Sequence, residues 1–187
     1  MQVEKLPMTL DSLSFSNDPH PRSDGLHLST ILDDIENTLE PNKYAGNSFN
    51  LAVCATFGFV WERVLEAHVV QARVDAGLLF RPGEIERDGI VGTPDGYDAE
   101  GILEEWKCTW KSSKRDVHEF TRYLWQVKSY CHMLGVNKVN LRILFVVGAF
   151  WGEGPSCVCY QLTFTKRELV QNWNMIHGHA EGKGWIE

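Results

Sequence analysis

The chain has 187 residues, of which 43% are hydrophobic, and a formal net charge of −7. This length favours a single domain, and the hydrophobic fraction is sufficient for a complete core. The acidic balance argues against a protein that coats nucleic acid non-specifically, but it is compatible with a locally basic DNA-binding surface.

Neither the apolar runs nor the N-terminal segment predicts contact with a membrane. The apolar run over 143–151 is far too short to span a bilayer. The first residues include early acidic side chains and no long apolar stretch, so we expect no signal peptide and a soluble protein. The five cysteines form no CxxC pair, which favours reduced, small apolar side chains over a metal or Fe–S site.

The first part of the chain is predicted to be an arm followed by two helices. Residues 1–28 are rich in Ser, Asp and Pro, which indicates an extended or partly disordered N-terminal arm, and residues 29–187 are assigned to one domain. Ser29 is a candidate N-cap for a short helix over 30–39, which Pro41 would end. A buried helix is predicted over 49–73, where apolar residues recur at helical spacing.

The rest of the chain alternates predicted strands with helices. Strands are predicted over 84–91, 94–98 and 102–109, with a polar turn at 99–101, and a helix follows over 116–134, closed by Gly135. Two more strands are expected over 138–150 and 157–164, and Thr165 with Glu168 predicts a capping box for a C-terminal helix. This order predicts an α/β domain with a central mixed β-sheet flanked by helices.

Charged residues interrupt the predicted strand over 102–109. Because side chains alternate between faces, Glu105 and Lys107 share one face and Glu104 lies on the other. Asp95 precedes the turn, so antiparallel pairing can bring it next to Glu105. Two carboxylates beside one lysine suit a hard divalent cation, which prefers oxygen ligands. Lys107 would orient or deprotonate an attacking water and offset negative charge as a phosphodiester is hydrolysed.

Four short elements together resemble the signature of the PD-(D/E)xK nucleases. The segment GTPD, with Asp95, is followed ten positions later by EWK, with Glu105 and Lys107. Gly58–Glu62 fits the GxxxE element on the preceding helix, and Gln126–Tyr130 fits the QxxxY element on the following helix. The set is similar to the RecB and lambda-exonuclease branch, and the resemblance covers roughly residues 58–147.

The resemblance implies a restriction-endonuclease-like core with a metal site. Asp95 and Glu105 would be the principal ligands of Mg²⁺ or Mn²⁺, helped by the backbone carbonyl of Trp106. Glu62 would reach the ion from the helix, although Glu66, one turn later, is an alternative. No Fe–S cluster is expected, because the cysteine pattern of the cluster-binding members is missing from the sequence.

The remaining matches imply how the protein would contact DNA. Lys107 would be the catalytic lysine, while Gln126 and Tyr130 would shape the site and touch the DNA strand from one helix face. The segment from Glu105 to Lys128 has six basic and three acidic residues, a net charge of +3. We expect a phosphate-binding track among its cations. The proposed members of this basic track are Lys111, Lys114, Arg115, Arg122 and Lys128, with Trp110 as a candidate for base stacking.

These features predict a metal-dependent DNA nuclease, more specifically an exonuclease of phage or bacterial recombination and DNA end processing. The alternatives are a structure-selective or restriction-like endonuclease and a catalytically silent DNA-binding or assembly protein. The expected location is the cytoplasm of a bacterial host or phage-infected cell. The expected partners are DNA, a recombination or single-strand-annealing protein and further copies of the chain. Ordinary readings stay open, since Pro-Asp-Gly is a common turn and Glu105 with Lys107 could be a weak surface pair.

Overall fold

The computed structural model describes residues 23–41, 60, 75–77, 79–149 and 154–187. The helix predicted over 49–73, with Gly58, Glu62 and Glu66, therefore lies outside the described residues apart from Val60. In chain order the described elements are β1 (Leu26–His27), α1 (Leu28–Leu39), β2 (Leu79–Phe80), β3 (Ile85–Arg87), β4 (Ile90–Gly92), β5 (Gly96–Asp98), β6 (Leu103–Thr109), α2 (Thr121–Leu134), β7 (Lys138–Phe145), β8 (Ser156–Thr163) and α3 (Lys166–Gly182).

A five-stranded mixed sheet is the centre of the fold. Its strand order is β2-β5-β6-β7-β8, with β6 parallel to β7 and every other neighbouring pair antiparallel. The β5–β6 turn forms where it was predicted, because Asp98 Oδ1 accepts hydrogen bonds from two backbone N–H groups, those of Glu100 and Ile102. The prediction of an α/β domain with a mixed sheet and flanking helices is confirmed.

The single strand predicted over 84–91 is wrong, because this segment is a hairpin. Strands β3 and β4 pair antiparallel, with Arg87 opposite Ile90, so Asp88 and Gly89 form a two-residue turn. Both turn residues have positive φ, 51° and 76°. Asp-Gly is a preferred pair for such a turn because glycine, and to a lesser extent aspartate, tolerates that conformation. The Asp88-Gly89 dipeptide is therefore a local sequence signal for this hairpin.

The start of α1 also differs from the prediction. The helix begins at Leu28 rather than residue 30, and its N-cap is His27, whose side chain makes no capping hydrogen bond. Ser29 therefore lies inside the first turn, and its prediction as the N-cap is wrong. Just before the helix, β1 pairs in parallel with β4, which places Leu26 and His27 in a second sheet of order β1-β4-β3. These two residues fall within the segment assigned to the arm.

The predicted helix boundaries after β6 agree better with the structure. Asp116 caps a short 3₁₀ turn, Val117–Glu119, and α2 begins at Thr121, so the single helix predicted over 116–134 has two parts. Gly135 closes α2 with φ of 71°, as predicted. The capping box between Thr165 and Glu168 is confirmed at the start of α3. No helix in the described part of the chain is long and apolar enough to cross a membrane.

The core lies between the five-stranded sheet and a layer formed by α1, α2 and α3, which contact one another. Strand β4 contributes the buried Ile90 to this core, and β6 and β7 contribute Leu103, Val139, Leu141, Ile143 and Phe145. A buried polar tie joins two helices, because Asn172 Nδ2 on α3 donates to Trp125 O and Ser129 Oγ on α2, at 3.1 and 3.0 Å. This tie therefore holds α2 against α3, while hydrophobic packing holds the helices against the sheet.

We expect Asn172→Ala to lower the free energy of unfolding by about 1–3 kcal/mol, because it removes two hydrogen bonds to α2, one of them to the buried hydroxyl of Ser129. The matched control is Asn174→Ala, since Asn174 is exposed on the same helix. Urea denaturation followed by circular dichroism measures both changes. Equal effects of the two substitutions would contradict a stabilising role for the tie.

Candidate active site

The structure brings Asp95, Glu105 and Lys107 together beside strand β6. Lys107 Nζ donates to Glu105 Oε1 at 2.6 Å, so strand alternation correctly paired Lys107 with Glu105. Asp95 Oδ2 accepts a hydrogen bond of 2.7 Å from the backbone N–H of Trp106. The antiparallel register of β5 and β6 carries Asp95 to this position, because Gly96 lies opposite Glu104.

Burial raises the free-energy cost of keeping Glu105 and Lys107 charged. The side chain of Glu105 is 2% exposed and that of Lys107 is 17% exposed. Removing charged groups from water costs several kcal/mol per ion, and a single pairing recovers only part of that. Glu105 Oε2 is buried and has no hydrogen-bond partner among the described residues. A carboxylate oxygen in this position is suited to a ligand that supplies positive charge.

The charges of the cluster do not balance. Burial, together with the negative charge of Asp95, raises the pKa of Glu105 well above its ordinary value, and the nearby Lys107 offsets only part of this. Burial alone would lower the pKa of Lys107, but the carboxylates of Glu105 and Asp95 outweigh it and raise that pKa. The lysine is therefore a stable cation, and it faces two mutually repelling acidic groups.

This donor set fits a divalent cation such as Mg²⁺ or Mn²⁺. Two carboxylates with completing water molecules are a usual environment for Mg²⁺ in proteins, and Glu105 Oε2 is a buried oxygen that a cation would satisfy. Within the described ranges, no three acidic, histidine or cysteine side chains are grouped as a complete metal site. Glu62, the expected third ligand, lies outside these residues, so its role stays a prediction.

Gln126 and Tyr130 line the cluster from α2. Gln126 Nε2 donates to the hydroxyl oxygen of Tyr130 at 3.0 Å, and both residues are buried. Burial, together with the negative charge of Glu105, raises the pKa of Tyr130. The QxxxY spacing therefore produces a hydrogen-bonded pair next to the carboxylates. Contact with DNA stays a prediction for both residues.

Gly92 is a positioning residue that the sequence reading did not single out. A Cβ atom at Gly92 would lie 2.8 Å from Tyr130 Cε1 and 3.2 Å from Met133 Sδ. The missing side chain thus allows the phenol ring to approach the end of β4. Gly92 is the first residue of the GTPD segment, so the signal for it was its place in the motif, and the structure supplies the steric reason.

Glu104 has a separate partner on the opposite face of the sheet. It is fully buried and accepts hydrogen bonds from Arg142 Nε and Nη2, at 2.6 and 3.0 Å, and from Asn140 Nδ2, at 3.3 Å. The Arg142 guanidinium also lies 5.0 Å from the centroid of the Trp106 ring. This network links β6 to β7 directly behind Glu105. Sequence reading missed it because Arg142 is 38 positions away, on a strand whose register was unknown.

The first three members of the basic track follow β6. Lys111, Lys114 and Arg115 are exposed. Lys111 Nζ lies 5.5 Å from the centroid of the Phe120 ring, and Arg115 forms an ion pair of 3.0 Å with Glu119. These positions are compatible with phosphate binding.

The last two members of the track lie in other settings. Arg122 donates to Asp33 Oδ1 of α1 through Nη2 and Nε, at 2.6 and 3.1 Å, so its charge joins two helices. Lys128 Nζ lies 5.4 Å from the centroid of the Phe164 ring. At 3.6 residues per turn, Lys128 lies on a different face of α2 from Gln126 and Tyr130. Arg122 and Lys128 therefore differ in their local partners from the exposed residues Lys111, Lys114 and Arg115, and DNA binding stays a prediction for all five.

Comparisons with known proteins support the fold. No protein-family model and no curated protein matches the sequence. Among solved structures, the chain is similar to an alkaline exonuclease from Laribacter hongkongensis, with 14% identity, coverage of 84% of this chain and 87% of that chain, and a TM-score of 0.50. A phage-related exonuclease from Haemophilus somnus 129PT has 14% identity, coverage of 82% and 78%, and a TM-score of 0.43. At this identity the similarity to the first structure shows a shared fold.

Proposed function

We propose that the chain is a metal-dependent DNA nuclease that hydrolyses phosphodiester bonds, and that it is an exonuclease. The observation that carries the proposal is the cluster of Asp95, Glu105 and Lys107 on one sheet face, with a buried Glu105 oxygen that no described residue satisfies. The fold shared with an alkaline exonuclease supports this chemistry. Recombination or end processing, with a single-strand-annealing protein as partner, is the proposed context.

In this proposal Asp95 and Glu105 hold Mg²⁺ or Mn²⁺, together with the backbone carbonyl of Trp106 and with Glu62. The bound ion supplies Lewis-acid polarisation of the phosphate and lowers the pKa of water. The hydrogen bond from the Trp106 N–H orients Asp95. Because Trp106 and Glu105 are neighbours on β6, this hydrogen bond fixes the position of the Asp95 carboxylate relative to Glu105.

Lys107 acts as a cationic hydrogen-bond donor at the reacting phosphate. In the metal-free protein the carboxylates of Glu105 and Asp95 raise its pKa, so the side chain is an ammonium group that can donate hydrogen bonds and offset negative charge. A fixed cation is most effective where negative charge develops in the transition state and water is excluded. The hydrogen bond to Glu105 aims the ammonium group, and the buried Gln126–Tyr130 pair shields that side of the site.

We expect the protein to degrade linear DNA with Mg²⁺ or Mn²⁺ and to leave covalently closed circles intact.

Lys107→Ala should lower the cleavage rate by about 10²–10³-fold, because it removes a donor that stabilises developing charge. DNA affinity should change little. The matched control is Lys138→Ala, since Lys138 is exposed at the start of β7. Gel assays of cleavage and fluorescence anisotropy of binding measure these effects.

Three outcomes of that assay would contradict parts of the proposal. Cleavage of closed circles would favour an endonuclease over an exonuclease. Binding without cleavage, with any divalent metal, would favour a silent DNA-binding protein. Full activity of Lys107→Ala would contradict the catalytic role of the lysine.

We expect Mn²⁺ at 100 times its dissociation constant to stabilise the folded protein by about 2.7 kcal/mol, because the ion binds only the native state. Glu105→Gln and Asp95→Asn should each remove most of this effect, and a chelator should reverse it in the unmodified chain. Glu86→Gln is the matched control, since Glu86 is exposed on β3. Thermal unfolding with and without metal measures the change. A metal-induced shift that survives both site substitutions would place the ion elsewhere.

We expect Lys111→Ala with Lys114→Ala to weaken DNA binding and to reduce the slope of log K against log salt by about 1–2, as each lost phosphate contact requires. Arg122→Gln should leave this slope unchanged, because Arg122 is engaged by Asp33. Its effect should be a small loss of stability, about 0.2–1 kcal/mol. Titrations at several salt concentrations measure the slopes. A larger slope change for Arg122→Gln than for the double substitution would contradict this division of the basic track.

A further inference from the structure

An exposed pair of aromatic rings lies at the edge of the five-stranded sheet. The rings of Phe80 on β2 and Tyr97 on β5 are stacked, with centroids 5.9 Å apart and planes inclined by 26°. Phe80 is 46% exposed although it is a large apolar residue, while Tyr97 is half-buried. Tyr97 therefore supports one side of the Phe80 ring, and much of the remaining ring surface is accessible to solvent.

The sheet register places this pair on the same face as the candidate metal ligands. Phe80 is opposite Tyr97, and Tyr97 is opposite Leu103, so all three side chains point to one face. Leu103 and Glu105 are two residues apart on β6 and also share a face. Asp95 precedes Tyr97 by two residues, which corresponds to about 7 Å along an extended chain. The rings thus lie on the sheet face that carries Glu105, toward the β2 edge of the sheet.

This arrangement suits a nucleobase better than a sheet-stabilising role alone. Cross-strand aromatic pairs do stabilise sheets, but that role is better served when both rings are buried. A flat, supported and accessible ring is the surface on which bases stack in proteins that bind single strands. In a duplex each base face is covered by its neighbours, so the pair would take a base that is unstacked or at a frayed end.

We propose that Phe80 and Tyr97 form a nucleobase-stacking subsite for the strand being cleaved, which takes an unpaired base within one or two nucleotides of the scissile phosphate. This inference rests on the proposed nuclease function, because the reacting phosphate defines the position of the base. The subsite would give the enzyme a preference for single-stranded or frayed ends without a preference for base identity, since every base has a π-face.

The test compares Phe80→Leu, which keeps an apolar side chain, with Phe80→Trp, which keeps an aromatic one. Substrates are single-stranded oligonucleotides with a normal or an abasic nucleotide at each of the terminal positions. On normal substrates Phe80→Leu should lower kcat/KM about tenfold or more, mainly through KM, and Phe80→Trp should restore it. An abasic nucleotide at the stacked position should remove the difference between Phe80→Leu and the unmodified chain. The matched control is Trp185→Leu, because Trp185 is 39% exposed and contacts His179 and Lys183.

A binding measurement separates this inference from the proposed function. The fluorescence of 2-aminopurine near the oligonucleotide end, in Ca²⁺ and the Lys107→Ala background, should be quenched on binding and recover in Phe80→Leu. Equal quenching with Phe or Leu at position 80 would overturn the subsite. An equal loss of kcat/KM on normal and abasic substrates would overturn it as well. In either case, cleavage of DNA by the unmodified chain would still support the nuclease function. Failure of the unmodified chain to cleave any DNA would overturn the proposed function, and the subsite with it.

Discussion

The constraint on which the site depends is the burial of three charged side chains along four residues of β6. Glu104, Glu105 and Lys107 lie on a central strand, where each unpaired charge would cost several kcal/mol. Because side chains alternate between the faces of a strand, Glu104 lies on one face, and Glu105 and Lys107 lie on the other. Arg142 neutralises Glu104, and Lys107 neutralises Glu105. Asp95 then adds a second carboxylate to the Glu105 face, so that face has an excess of negative charge.

The two ion pairs of β6 differ in how completely their carboxylates are hydrogen-bonded. Behind the strand, Glu104 receives two hydrogen bonds from Arg142 and one from Asn140, so both of its oxygens have donors. On the front, Glu105 keeps a buried oxygen with no partner among the described residues. Such an arrangement lowers the stability of the metal-free protein, and it is retained where function requires it. The rear network joins β6 to β7, while the front keeps the buried oxygen that the proposed cation would satisfy.

Much of this arrangement follows from local sequence rules. Strand alternation correctly paired Lys107 with Glu105, and i, i+4 spacing correctly placed Gln126 beside Tyr130, because both rules depend only on backbone geometry. Interactions across strands and helices were not predictable in the same way. Arg142 reaches Glu104 only through the parallel register of β6 and β7. The steric role of Gly92 likewise depends on how closely α2 approaches β4.

The central claim is that Asp95 and Glu105 bind a divalent cation next to Lys107. Anomalous diffraction from crystals grown with Mn²⁺ tests it most directly, since the signal locates the metal independently of activity. The account predicts an anomalous peak within direct ligand distance of carboxylate oxygens from both residues, and its loss in crystals of Glu105→Gln. A saturated Mn²⁺ site elsewhere in the chain, with neither carboxylate as a ligand, would contradict the account.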